Sequence, residues 1–365
     1  MDIDRFFEKF MGESLTYDDL ILLPGYVDFP LESIDLSTKL TRTIRLSIPL
    51  VSSPMDTVTE ADLAIALAEQ GGIGMVHYNM SPERQLAELQ AVKQNGLLAG
   101  AAVETWKRKA EERLETIHEW ADVIVFDTSQ GNTSYEIELI QWAKQQFPHL
   151  QIIGGNVVTQ EGCKALIDAG ADAIRVGMGS GSICTTQEVG GIGRGQATAV
   201  YECAKVCKSA DIPLIADGGI AKTADLVKAL CLGADSVMLG SLFACTTEAP
   251  GKTRALESGV RLKEYRGMGS LPSMEKGSSH RYGMGSSRLR IPEGVSGYLP
   301  SRGSMTEWVP QLVQGIKQGL HKLGRPSLGA KGAVFLERRS EAAKREGGVH
   351  HLYEQQKESH VASHL

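Results

Sequence analysis

The stretch Gly177-Met-Gly-Ser-Gly-Ser-Ile-Cys-Thr-Thr-Gln187 sets three alternating glycines ahead of one cysteine flanked by hydroxyl side chains. Its Gly-x-Gly-x-Gly spacing differs from the dinucleotide-binding Gly-x-Gly-x-x-Gly, and no amphipathic helix follows at once. A flexible loop presenting a thiol accounts for it better. Cys184 is then a candidate nucleophile, because an exposed thiolate attacks an electron-poor carbon. The competing reading is a small buried residue, the commonest fate of cysteine. Asp217-Gly218-Gly219 and Gly240-Ser241 have the small side chains that let backbone N–H groups approach a phosphate, or else they form plain tight turns. No histidine neighbours Cys184 in sequence, so a base must come from elsewhere. Ser278-Ser-His-Arg-Tyr282 offers Arg281 and Tyr282, both unconventional bases because they stay protonated at neutral pH; a solvated loop is the alternative. His77, beside Tyr78, reads as a satisfied core or rim histidine.

Short β-branched runs, each followed by a turn and a helical pattern, supply the elements that must position these residues. Strands are expected at 49–52, 73–77, 98–103, 123–126, 151–154, 173–176, 213–216 and 236–239. Amphipathic stretches fall at 60–70, 82–95, 105–120, 134–147, 160–169, 197–209 and 222–232. Alternating βα units imply a parallel sheet, and eight of them suggest a closed (β/α)8 barrel, with a doubly wound open sheet as runner-up. The repeat of Gly170-Ala-Asp-Ala-Ile-Arg-Val-Gly177 in Gly233-Ala-Asp-Ser-Val-Met-Leu-Gly240 favours the barrel, since its spacing is about two βα units. Barrel active sites gather past the strand ends. There the sequence carries Ser52-Ser53-Pro54-Met55-Asp56, Asp127-Thr128-Ser129-Gln130-Gly131 and Gly155-Asn156, besides the sets already named. From 246 to 304 little periodicity is visible, as in a functional lid or a disordered segment. A last amphipathic helix is expected at 308–323, and the charged tail from Gly329 to be partly mobile.

The 365 residues are 42% hydrophobic and 22% charged, as in a soluble globular protein and not a disordered one. The 40 glycines show no Gly-X-Y period, which excludes collagen and leaves turns and close backbone approach. A net charge of −6 gives no reason to expect nucleic-acid binding. The segment 252–302 is nonetheless basic, with ten Lys or Arg against four Glu, so it either covers an anionic small molecule or forms a solvated loop. Six cysteines, all beyond residue 162 and without a Cys-x-x-Cys pair, argue against a disulfide framework or zinc and fit a reducing compartment. The N-terminus lacks a signal-peptide core, and no apolar run is long enough to span a membrane.

These residues resemble the inosine-5′-monophosphate dehydrogenase family from about Leu15 to His351. The motifs are Leu15-Thr-Tyr-Asp-Asp19, Leu50-Val-Ser-Ser-Pro-Met-Asp-Thr-Val58, Gly154-Gly-Asn-Val-Val158, Gly177 to Gln187, Ile215-Ala-Asp-Gly-Gly-Ile220, Tyr265-Arg-Gly-Met-Gly-Ser270, His280-Arg-Tyr282 and Glu346-Gly-Gly-Val349. Gly294-Val-Ser-Gly297 and the tail motif look closer to the eukaryotic branch. The resemblance implies a single catalytic (β/α)8 barrel over 1–365, with a mobile flap at about 252–304 and a tail at about 329–365. It implies oxidation of IMP to XMP with NAD+, in guanine nucleotide synthesis. Cys184 would attack C2 of the purine, hydride would pass to the nicotinamide, and the flap would replace NADH while water hydrolyses the thioimidate. Arg281 and Tyr282 match the flap pair, with Arg281 as base and Thr186 assisting the water.

For IMP the resemblance implies Ser53, Met55, Ser182, Asp217, Gly219, Gly240, Ser241, Tyr265, Gly267, Met268 and Gly269, with Asp217 on the ribose hydroxyls and Glu293 facing the base. For NAD it implies Asp127, Thr128, Ser129, Asn156, Arg175, Gly177 and Thr186. A monovalent cation, usually potassium (K+), would sit on carbonyls of Gly179, Gly181 and Cys184, completed by Glu346, Gly347 and Gly348 of a neighbouring chain. A homotetramer, often pairing into an octamer, follows from the same resemblance, and a cytoplasmic location is expected from the cysteine usage. The chain departs from the family in three places. Lys93-Gln-Asn-Gly-Leu-Leu98 leaves no room near 95–97 for the usual pair of nucleotide-sensing CBS modules, whose allosteric control is then missing. Gly195 stands where many members have Pro, and Glu104 where many have Gly. The rivals are GMP reductase, an NADPH enzyme lacking both the Arg-Tyr pair and the Glu-Gly-Gly tail, and a catalytically idle nucleotide-binding or filament-forming protein.

Overall fold

The eight expected strands form in the computed structural model, which describes residues 1–276, 278, 281 and 291–348. They are β1 (Leu50–Ser52), β2 (Ile73–Val76), β3 (Gly100–Val103), β4 (Val123–Phe126), β5 (Gln151–Val157), β6 (Ala173–Val176), β7 (Leu214–Asp217) and β8 (Ser236–Leu239). All pair in parallel, and β8 returns to β1, which closes a barrel. The strands are buried on both faces, which is why they read as continuous apolar runs without alternation. Val51, Met75, Val123, Val125, Ile153, Ile215 and Met238 fill the interior. The opposite faces pack on α1 (Ala61–Ala68), α2 (Pro82–Gln94), α3 (Lys107–Ile117), α4 (Ser134–Gln146), α5 (Gln160–Asp168), α6 (Gln196–Ser209), α7 (Thr223–Cys231) and α8 (Met305–Lys322). Ser81, Thr133 and Thr159 cap their helices by accepting the N–H three residues on.

The Gly-Ala-Asp repeat has a structural cause. Asp172, just before β6, accepts the Ile152 N–H of β5 at 2.8 Å, and Asp235, just before β8, accepts the Leu214 N–H of β7 at 2.8 Å. Asp122 does the same for Ala99 before β3. Each carboxylate satisfies a backbone donor at a strand start on the end of the barrel away from the site. Lys93 and Lys144 pair with Asp122 and Asp172 at 3.0 and 2.9 Å.

One expectation needs correction. The segment after residue 246 is not without strands: β9 (Thr253–Ala255), β10 (Arg261–Arg266) and β11 (Ser296–Pro300) make an antiparallel sheet in that order. The alternation was masked because an inward position of β10 is Lys263, which donates to the Ala249 carbonyl at 2.6 Å, two residues before buried Tyr265. Of the tail from Gly329, part of which was expected to be mobile, residues 349–365 lie outside the described residues; the described part is tied down. Leu336–Arg338 pairs antiparallel with Leu20–Leu22, and a helix follows at Glu341–Glu346. An N-terminal helix, Ile3–Lys9, also went unread. Between α2 and β3 only residues 95–99 intervene, so no module sits there. Among the described residues no helix is long and apolar enough to cross a membrane.

Candidate active site

A cleft of about 290 Å³ lies over the carboxyl ends of the strands. Cys184, Thr186, Ser53, Met55, Ser182, Asp217, Gly219, Gly240, Ser241, Tyr265, Gly267, Met268, Gly269, Glu293, Ser129, Asn156, Arg175, Gly177, Gly179, Gly181 and Arg281 all line it. Asp127 and Thr128 lie buried just beneath its wall. Tyr282, His280 and Val349 lie outside the described residues. Glu346, Gly347 and Gly348 lie away from the cleft, at the end of the last helix, where Gly347 faces Arg339.

The glycines are there for close approach. A Cβ on Gly177 would overlap the Asp217 carbonyl, so the ends of β6 and β7 could not meet. A Cβ on Gly240 would come to 2.6 Å from the Tyr265 hydroxyl and 3.5 Å from Met55 Sδ. Gly218 and Gly219 hold φ of +92° and +72°, which a side chain would strain. Burial holds the Tyr265 phenol protonated, well above the usual tyrosine range.

Cys184 is half-buried and bound in no disulfide. Its Sγ lies 3.2 Å from Thr186 Oγ1, and Thr186 donates to Glu293 Oε2 at 2.7 Å. Three segments hold this arrangement in register. Thr185 N–H bonds the Glu293 carbonyl, Val295 N–H bonds the Ile183 carbonyl, and Glu293 N–H bonds the Gly269 carbonyl, each at 3.0 Å. Glu293 was expected to face a base; here one carboxylate oxygen is committed to Thr186.

A second network runs across the cleft floor. Arg175, 3% exposed, places Nη1 at 2.5 Å from Asp127 Oδ1 and Nη2 at 2.9 Å from Asp217 Oδ2. Asn156 Nδ2 donates to that same Asp217 oxygen at 2.9 Å. Arg281 pairs with Asp127 Oδ1, and its carbonyl accepts from the Ser129 N–H and hydroxyl at 3.1 and 3.0 Å. Alternating Arg and Asp keep these buried charges paired. Asp127 Oδ2, Asn156 Oδ1 and Arg281 Nε nonetheless have no hydrogen-bond partner among the described residues. Such unmet groups at a cleft suit a polar ligand.

His77 is satisfied, as expected. Its Nδ1 accepts the Asn79 N–H at 3.0 Å and Nε2 faces Glu60 at 3.2 Å. Sequence reasoning missed Gln196, which donates to the Val176 and Asp217 carbonyls and joins β6 to β7. A glutamine opening the largely buried first turns of a helix, ahead of Ala197, Ala199 and Val200, was the available signal. It also missed Glu136, buried beneath Thr128.

Comparison with known proteins gives one consistent result. The profile described as "IMP dehydrogenase / GMP reductase domain" matches residues 14–350. Inosine-5′-monophosphate dehydrogenase 1 of Arabidopsis thaliana is 36% identical, with 98% of each chain covered. The inosine-5′-monophosphate dehydrogenases of Toxoplasma gondii and Borreliella burgdorferi are 33% and 36% identical, covering 93% and 88% of this chain and 95% and 92% of their own. The Arabidopsis alignment runs over 495 positions and the Borreliella alignment over 373, against 365 residues here. The longer alignment therefore crosses positions this chain lacks, consistent with the short link between α2 and β3.

Proposed function

The chain belongs to the IMP dehydrogenase / GMP reductase family, and from that premise we propose that it oxidises IMP to XMP with NAD+. The observation that carries this reading is Cys184 in the cleft, 3.2 Å from Thr186, with Arg281 docked on Asp127 and Ser129.

Cys184 as thiolate adds to C2 of the purine, and the electron pair of the C2–N3 double bond moves to N3. NAD+, when bound, accepts the hydride lost from C2. Water then adds to C2, its proton leaves, and the C–S bond breaks to return the thiolate. Two routes for that proton are at hand. Arg281 is the base that the family resemblance implies; a guanidinium holds its proton at neutral pH, so it serves only where the closed site favours its neutral form and orients the water. Thr186 is the second. Because it donates to Glu293, its lone pairs are free to take the proton as its own passes to the carboxylate. Asp217, fixed by Arg175 and Asn156, would accept from the ribose hydroxyls, and the Gly218–Gly219 and Gly240–Ser241 turns would receive the phosphate.

Ser129, Asn156, Arg175 and Gly177, with Asp127 and Thr128 behind them, would hold NAD+; the unmet acceptors on Asp127 and Asn156 fit a polar ligand there. Carbonyls of Gly179, Gly181 and Cys184 have the donor chemistry an alkali cation takes. The Gly179 carbonyl already accepts from Gln187 and the Gly181 carbonyl from Cys184 N–H, each with a second lone pair remaining. Glu346, Gly347 and Gly348 would come from a second copy of this chain, which makes the working enzyme an oligomer, a tetramer on the family's pattern. The six cysteines, none in a disulfide, suit a reducing compartment, and we propose a cytoplasmic location.

Purified protein with IMP, NAD+ and potassium should produce reduced nicotinamide, followed by absorbance. Cys184→Ala should abolish turnover while calorimetry still shows IMP binding; turnover retained in that variant overturns the mechanism. No signal with IMP, together with NADPH consumed on adding GMP, assigns the reductase instead. Silence in both assays assigns a binding or structural role.

A further inference from the structure

Glu136 is fully buried on the third residue of α4. Thr133-Ser-Tyr-Glu136 spells a capping box, in which the glutamate would turn back to the Thr133 N–H. That N–H instead bonds the Gly131 carbonyl at 2.7 Å, and Glu136 turns inward. One carboxyl oxygen accepts the Gly155 N–H at 2.7 Å. The other lies 3.1 Å from Thr128 Oγ1, which lies 3.2 Å from the Gly155 carbonyl.

The hydrogens can be counted. With an ionised Glu136, the single proton on the Thr128 hydroxyl faces two acceptors, the carboxylate and the Gly155 carbonyl. With a protonated Glu136, the acid donates to Thr128, Thr128 donates to Gly155, and the Gly155 N–H returns to the acid. Each contact then has its own hydrogen, and the ring closes. Burial acts in the same direction and outweighs the rest, pushing the carboxyl up to about 8; the Gly155 N–H and the Thr128 hydroxyl favour the ionised form, as does Arg175, the charged group facing it from β6 and itself paired with Asp127 and Asp217.

This ring joins the loops after β4 and β5. Asn156 N–H bonds the Thr128 carbonyl at 3.2 Å, and the next residue, Ser129, supplies both donors that hold the Arg281 carbonyl. We propose that Glu136, in its protonated form, is a positioning residue that latches Thr128 to Gly155 and so sets the Ser129 donors on which Arg281 docks for hydrolysis. This rests on the reading of Arg281 as a group acting in that step.

The test separates the first-turnover NADH burst at saturating NAD+ from steady-state turnover, in wild type, Glu136→Gln and Glu136→Ala. Glu136→Gln keeps a donor and an acceptor in the ring, so its steady-state rate at pH 7 should stay within about twofold of wild type. Glu136→Ala should lose about tenfold or more in steady state with its burst rate kept, as expected when a reacting group is misplaced. The ratio of wild-type to Glu136→Gln turnover should be flat to pH 7 and fall above pH 8, as the wild-type acid ionises and the amide does not. That ratio decides the matter even if Glu136→Ala fails to fold. Glu136→Gln as impaired as Glu136→Ala, a flat ratio to pH 9.5, or burst and steady state falling together would each overturn the proposal. Absence of any IMP-dependent NADH in the wild type would instead overturn the functional reading on which it rests.

Discussion

Cys184, Thr186 and Glu293 are joined by contacts of 3.2 and 2.7 Å although Glu293 stands more than a hundred residues away in sequence. At this scale the chemistry divides between two sets of contacts. The thiol and its hydroxyl belong to one hydrogen-bonded set, and Arg281 with the Ser129 and Asp127 that hold it belongs to another. The division predicts a separable effect. Arg281→Ala should slow hydrolysis by about a hundredfold, the scale of a lost general base, while leaving hydride transfer nearly intact. Stopped-flow absorbance should then show a full NADH burst ahead of a slow steady state. A burst no faster than wild-type turnover would count against the split. The residual rate would be the share carried by Thr186 and Glu293.

Between elements, the departures from the family pattern acquire a purpose. Glu104 follows β3 and meets Arg113 of α3 in a buried pair, Nε to Oε2 at 2.6 Å. The same guanidinium donates to the Tyr78 and Met80 carbonyls and to Gln85, so it fixes the turn after β2. Asn79, within that turn, donates to Ser273 Oγ at 2.9 Å, and Ser273 contacts Ser278 at 3.1 Å. Through these contacts Glu104 braces the base of the segment that carries Arg281. Glu104→Gln would leave the Arg113 charge buried without its counter-ion, at a cost of about 3 kcal/mol. Chemical denaturation should show that loss; a change under about 1 kcal/mol would mean that the site is wet and the pair dispensable.

At the scale of the whole molecule, the described end of the tail, Glu346 to Gly348, does not line the cleft of its own chain. Asp19 holds the tail through Lys344 at 3.0 Å and through the Arg339 N–H at 2.8 Å. Glu346 is exposed and makes no contribution to the barrel core. If it completes a cation site on a second copy, Glu346→Ala should leave the melting temperature unchanged and raise the potassium needed for half-maximal turnover by about tenfold. A potassium titration of turnover reads this directly. An unchanged titration curve would detach the tail from the cation site. The barrel, with residues 95–99 in place of any module between α2 and β3, has no second domain there through which nucleotides could tune it.

The sequence by itself determined the barrel and the small, polar turns past its strands. Parallel strands buried on both faces must be continuous apolar runs, and the turns past them must be small and polar, so both patterns are local and legible. The Gly-Ala-Asp repeat was legible as a repeat, but its cause, a carboxylate accepting a neighbouring strand's N–H, exists only once strands are paired. Tertiary structure alone decided the rest. Lys263 hid β10 because a charged side chain at an inward position is tolerable only when a carbonyl elsewhere in the chain receives it. Glu136 spelled a helix cap and became a latch between loops, because the buried Gly155 N–H takes the carboxyl that the Thr133 N–H would otherwise have held. Glu293 and Arg281 found their partners across the cleft for the same reason: hydrogen bonds act over about 3 Å of space, whatever the distance along the chain.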